Sequence, residues 1–326
     1  MQIFYYQRRD RQPNFGDELN CWLWQRLMPT WVNESSDQTT AFVGLGTLIN
    51  NALPQRLSQF HHAILFTTGV GYEAPLRKIP DSWRIYAVRG PRSADQLGLP
   101  ADLAITDGAL LLRHCYMPHQ IKQYPAAFMP QVHHANFAAP LFQHACDQLG
   151  WQNIDPRSPV DTVIQQIDQS DLLIAVAMHG AIAADALRVP WISVVTSPRI
   201  LTFKWHDWCE SVGLTYRPHY FSVPGAYPSF ARGLRSTIKS GQHRWGCVKT
   251  RLGNLRKIKE DKDLQKNKGS VVFLRNQLDM LKQLPPQLSD DALANQLLER
   301  LDQRLQQLCR DLETHDIQRP TSTGAK

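Results

Sequence analysis

Histidine, aspartate and arginine recur in this chain just where apolar runs give way to glycine. His179 stands in Met178-His179-Gly180-Ala181, directly after the uncharged run 172–177. Such a run reads as a strand buried on both faces, and the small residues after it open a helix. A histidine at that junction sits where ligands of open parallel sheets bind. The free N–H groups and the positive end of the helix dipole suit an anion there, and Gly180 allows a phosphate close to the backbone. The plain alternative is a partly buried imidazole bonded to a carbonyl.

Other positions repeat the pattern. Asn14-Phe15-Gly16-Asp17 lies between a first strand and a helix. Gly16 permits a tight bend, and Asp17 is either a general base at the mouth of a cleft or simply a carboxylate of a first helical turn. Val88-Arg89-Gly90-Pro91-Arg92 places two arginines at a strand end. Arginine forks match phosphate and carboxylate oxygens, although a surface salt bridge is the better reading of Arg92. His133 and His134 read as the end of a further strand facing the same crevice. No third ligand stands near them, so no metal is expected. There is no Walker A sequence, no G-x-G-x-x-G, no H-E-x-x-H and no G-x-S-x-G.

The elements that must hold these residues alternate strand and helix. Strands are expected at 3–6, 40–45, 63–68, 84–89, 102–105, 126–134, 151–154, 172–177 and 191–195. Helices are expected at 17–27, 139–149, 161–168 and from Gly180 to Pro190. This is the grammar of a doubly wound α/β fold. Residues 1–120 form one Rossmann-like domain and 121–225 a second. A connector, 226–270, leads to helices at 271–315 and a disordered tail at 316–326. In the last helix, with Ser289 as its N-cap, leucines 293, 297, 301, 305, 308 and 312 make one apolar stripe that packs onto the body.

Charge is uneven. The chain of 326 residues carries +7 in total, but residues 232–268 hold 12 Lys and Arg against 3 Asp and Glu, leaving −2 for the rest. That concentrates any electrostatic contact with an anionic partner in one segment. Trp245 is the one aromatic among those cations, a poor base-stacking platform, so nucleic acid is not expected. The six cysteines show no C-x-x-C spacing, as suits a reduced, cytoplasmic protein. Neither a signal peptide nor a transmembrane run is expected.

Taken in order, Asn14-Phe15-Gly16-Asp17, Val88-Arg89-Gly90-Pro91, Thr106-Asp107-Gly108-Ala109 and Met178-His179-Gly180-Ala181 resemble the polysaccharide pyruvyl transferase family. The phrasing around Phe15-Gly16-Asp17-Glu18-Leu19-Asn20 and Ala177-Met178-His179-Gly180 is most similar to its succinoglycan-type members. The resemblance covers residues 1–222. It implies two Rossmann-like domains facing a cleft, as in GT-B glycosyltransferases. It also implies phosphoenolpyruvate as donor, with no cofactor, and as acceptor a sugar of an exopolysaccharide or its lipid-linked precursor. The product is a pyruvate ketal. On this reading His179 is the general acid or phosphate partner and Asp17 the base. Asn14, Gly16, Arg92, Asp107, His133 and Gly180 line the substrate site. An arginine common in the family is replaced by Ala177, so Arg89, Arg199 or Lys204 must supply the charge for the donor. Asp107-Gly108 stands where many members have Asp-Pro. Acceptors built on lipid carriers imply docking of the basic segment on an anionic membrane face. The rival reading is a GT-B-type glycosyltransferase using a nucleotide sugar.

Overall fold

The computed structural model describes residues 1–32, 37–118, 121–196, 200–223 and 268–314. It is an α/β protein with two parallel sheets and C-terminal helices. The first sheet has the order β1-β2-β3-β4, from β1 (Gln2–Ile3), β2 (Thr40–Val43), β3 (His62–Phe66) and β4 (Trp83–Ala87). Between and after them lie α1 (Phe15–Leu27), α2 (Pro29–Val32), α3 (Leu53–Arg56) and α4 (Pro91–Leu97). Two 3₁₀ segments, Ala101–Leu103 and Gly108–His114, follow.

The second sheet takes β5 (Ala127–Met129), β6 (Gln152–Asn153), β7 (Leu173–Ala175), β8 (Trp191–Val195) and β9 (His219–Tyr220). Its order is β6-β5-β7-β8-β9. The helices between them are α5 (Val132–Asp147), α6 (Val160–Asp168), α7 (Met178–Ala186) and α8 (Thr202–Ser211). Two more, α9 (Lys268–Lys282) and α10 (Asp291–Glu313), complete the described chain.

Helix α6 shows why the pattern folds this way. Val160, Val163, Ile164 and Ile167 recur at helical spacing and are buried, while the polar face looks outward. Helix α7 has no such stripe. Only His179 among its nine residues escapes full burial, because α7 is enclosed by its own sheet, by α1 and by the second 3₁₀ segment. A helix apolar all round belongs in an interior. One apolar cluster runs from Trp24 and Phe42 in the first half to Phe128 and Trp191 in the second. Trp24 meets Phe42 and Phe66 edge-on at 5.0 and 5.4 Å.

Several expected elements come out differently. Residues 102–105 form no strand. They belong to a 3₁₀ turn and one isolated bridge, Ala104 to Val88. The strand expected to reach His133 and His134 stops at Met129, before Pro130, and both histidines lie in the first turn of α5. The N-cap of α10 is Asp290, whose carboxylate accepts from the N–H groups of Ala292 and Leu293. Ser289 instead donates to Asp185. The leucine stripe does pack on the body, with Leu297, Leu301 and Leu308 buried. Most of the basic segment, Arg199 and the expected tail lie outside the described residues.

Candidate active site

The second sheet reverses its direction of winding between β5 and β7. Chain leaving β5 goes to the edge strand β6, and chain leaving β7 goes the other way, to β8. The crevice at the carboxyl ends of such a strand pair is the usual ligand position in an open α/β sheet. Helix α7 begins there, capped by the backbone of Ala177 with no side-chain hydrogen bond.

His179 leans from that first turn onto the first half of the molecule. A Cβ built on Gly16 would stand 2.1 Å from its Nδ1. Residue 16 is therefore glycine because the imidazole occupies the place where a side chain would begin. Helix α1 is held against this ring from several sides. The Phe15 N–H donates to the Pro156 carbonyl at 2.8 Å, the Trp22 indole donates to Asp161, and the Asn20 carboxamide accepts from the Leu45 N–H at 2.7 Å.

Asp107 faces the other side of the ring. One of its oxygens accepts from the Ala109 N–H at 3.0 Å. The other, Oδ2, lies 3.7 Å from His179 Nε2, and neither atom has a hydrogen-bond partner among the described residues. Thr67, at the end of β3, adds a third buried atom of this kind, its hydroxyl. That hydroxyl fits only because residue 108 is glycine, where a Cβ would come within 2.4 Å of it. Thr67 also holds φ at +69°, a left-handed conformation unfavourable for a β-branched residue. A buried polar atom without a partner costs on the order of 1–3 kcal/mol. Three of them, with one strained residue, gather here and make this the candidate functional centre.

Asp17 completes the group. The Asn14 side-chain amide donates to its Oδ2 at 2.7 Å. Burial pushes its carboxyl pKa up, against the pull of Asn14 and of the charges on His179, Lys204 and Arg8. A carboxyl raised in this way is a better proton acceptor when ionised.

The two halves of the chain thus bring Asn14, Gly16, Asp17, Asp107 and His179 together, with Lys204 close enough for its charge to reach Asp17. Arg89 stands apart. It is wholly buried, pairs with Asp207 at 3.0 Å and donates to Thr47, Gly46 and Val70. With its guanidinium fully engaged, Arg89 ties α8 to the first half. Arg92 forms the surface pair, bidentate with Glu210. Gly180 is required by packing, since a Cβ there would meet the Met129 sulfur at 2.5 Å. His133 lies at the start of α5, its ring against His134 and Phe137. The His134 pKa is pushed down to about 4 by burial and by His133.

No family model matches the chain. Among curated proteins it is similar to the succinoglycan biosynthesis protein ExoV of Rhizobium meliloti (strain 1021). The two are 38% identical over 237 residues, which is 72% of each chain. The chain belongs to the succinoglycan-type polysaccharide pyruvyl transferase family.

In this family member three groups near the centre escape a reading of motifs. Thr67 lies in the strand end Phe66-Thr67-Thr68-Gly69, where a threonine pair before glycine was the available signal. Arg8 sits in a polar loop, paired with Asp10, and no pattern distinguishes it from its neighbour Arg9. Tyr72 receives a hydrogen bond from Lys204 Nζ at 3.0 Å, a pairing across 132 residues that sequence does not show. Among the described residues no group of three His, Cys, Asp or Glu could hold a metal ion, and no helix is long and apolar enough to cross a membrane.

Proposed function

We propose that the chain transfers pyruvate from phosphoenolpyruvate to a hydroxyl pair on a sugar of an exopolysaccharide or its lipid-linked precursor. The observation that carries this reading is the open Asp107–His179 pair beside Asp17, in a chain related to a succinoglycan biosynthesis protein. The two sheets then correspond to two Rossmann-like domains in a GT-B-like arrangement.

The chemistry asks for an acid, a base and cations. His179, as imidazolium, gives its proton to C3 of the enolpyruvyl group, and C2 becomes an oxocarbenium-like electrophile. The first sugar hydroxyl adds to C2 and passes its proton to the Asp17 carboxylate. The C2–O bond to phosphate breaks, phosphate leaves, and the second hydroxyl adds to C2, giving its proton to the now neutral His179 imidazole, to close the ketal. The Asp107 carboxylate, 3.7 Å from Nε2, favours the charged ring before the proton leaves. Lys204, one of the three residues expected to supply this charge, faces the phosphate and carboxylate of the donor together with Arg8 and the first turn of α7.

The test supplies purified protein with the acceptor oligosaccharide and, in parallel, phosphoenolpyruvate or nucleotide sugars. Phosphate release matched by an acid-labile ketal methyl signal is the expected result. Consumption of a nucleotide sugar instead makes the chain a glycosyltransferase. The same reading places the enzyme in the cytoplasm, held on an anionic membrane face by residues 232–268. Co-sedimentation with anionic liposomes that fades as salt is raised is then expected. Equal binding to neutral liposomes removes that part of the proposal.

A further inference from the structure

The loop after β3 holds an aromatic ring at a cost in backbone strain. Tyr72 has φ +69°, a left-handed conformation that a bulky residue adopts only when its surroundings impose it. Here they do. The buried Asn50 side chain donates to the Gly71 carbonyl at 3.1 Å, and the Asn51 N–H donates to the Ala74 carbonyl at 2.9 Å. The strain serves no packing, because Tyr72 is 53% exposed.

What fixes the ring is Lys204. Its ammonium donates to the phenol oxygen at 3.0 Å and lies 5.5 Å from the ring centroid. Tyr72 lies on the loop that begins at Thr67, whose hydroxyl stands against Gly108 beside Asp107, and the Lys204 charge reaches Asp17. A second ring, Tyr6, is 49% exposed and within electrostatic reach of Arg8, which in turn faces Asp17. Of the two exposed rings, Tyr72 is the one held by a cation through a hydrogen bond.

We propose that Tyr72 is the platform on which the acceptor sugar ring stacks. A pyranose has an apolar C–H face that packs on an aromatic face while its hydroxyls stay in water or in hydrogen bonds. A tyrosine offers that face together with a polar tip. The donor has no such ring and is recognised by its charges. Lys204 keeps two of its three N–H donors after bonding Tyr72, so one residue borders both substrates. This assignment rests on the glycan-acceptor reading above.

The test uses Tyr72→Gly, which relieves the left-handed strain while removing the ring, and Tyr72→Phe, which keeps the ring. In Tyr72→Gly the acceptor KM is expected to rise about tenfold, with donor KM unchanged and a thermal midpoint no lower than wild type. Tyr72→Phe should hold acceptor KM near wild type. A second readout needs no transfer. Saturation-transfer NMR with neutral β-linked gluco- and galacto-oligosaccharides should show contact in the wild type and in Tyr72→Phe, and lose it in Tyr72→Gly. Contact that survives in Tyr72→Gly, or no contact in the wild type, overturns the platform. If sugar contact follows the ring but no ketal forms, the platform stands and the pyruvyl-transfer reading falls. If ketal forms at an unchanged acceptor KM in Tyr72→Gly, the platform alone falls.

Discussion

Two pairs of ionisable groups join the halves of this molecule. Arg89 and Asp207 are both fully buried, and their polar atoms are used up. The guanidinium bonds Asp207, Thr47, Gly46 and Val70, and the carboxylate also accepts from the Ser93 N–H and hydroxyl. Asp107 and His179 lie 3.7 Å apart, with the facing oxygen and nitrogen both left without a partner. A buried pair that satisfies every group fixes a geometry, and breaking it is expensive. A pair left open keeps the capacity to bond something that arrives later. One junction holds the halves together, and the other is where they act.

Mutation can break that contrast. The largest expected effect is on turnover in His179→Ala, a loss of ~10²–10⁴-fold with folding unaffected, as for removal of a proton-transfer group. Near-normal transfer by the folded variant would mean the open pair is not the reacting one. Arg89→Ala should do the reverse. It strands Asp207 in the interior and should lower stability by about 3–5 kcal/mol, read by denaturant titration. A stable Arg89→Ala protein with a raised donor KM would restore Arg89 as an anion clamp and dissolve the distinction.

A finer probe is Gly16→Ala. Its new Cβ overlaps the His179 ring, and a displacement of about 1 Å can cost on the order of 10²-fold in rate. The thermal midpoint should fall far less than in Arg89→Ala, because His179 can swing away. Equal losses of rate and stability would show that the ring is a packing element.

The smallest effect concerns pH. Burial raises the folded-state pKa of Asp17 above its ordinary 3.8. The fold therefore favours the protonated form, and stability falls as pH rises through the folded pKa. Asp17→Asn should be more stable than wild type at neutral pH, with the advantage vanishing below about pH 3.8. A constant difference across that range would separate Asp17 from the buried environment assigned to it.

Much of this was legible in the chain. Apolar runs ending in glycine marked the parallel strands, and β8 appears at the residues the sequence indicates, because Pro190 and the run after it leave little choice. His179, Asp17 and Gly16 could be named from their place at strand-to-helix junctions. What stayed hidden depends on partners far apart. Arg89 looked like a clamp because nothing near it in sequence shows Asp207, 118 residues away. Nothing near Gly180 in sequence shows that the Met129 sulfur stands 2.5 Å from where a Cβ would be. The helix start before His133 was missed because β5 is only three residues long and Pro130 separates it from α5.

The last described helix has a consequence for how the protein is made. Helix α10 reaches back to the first half through Tyr86 to Asp311, Arg304 to Asp102 and His114 to Asp302. The segment before it grips the second half through Gln287 on Trp191 and Ser289 on Asp185. A ribosome delivers these fasteners after both sheets have emerged. Until residues 287–311 emerge, the nascent chain carries the two layers without these fasteners and with the apolar surface under α10 uncovered. Slowing translation just before residue 287 should lengthen the interval in which this protein needs a chaperone.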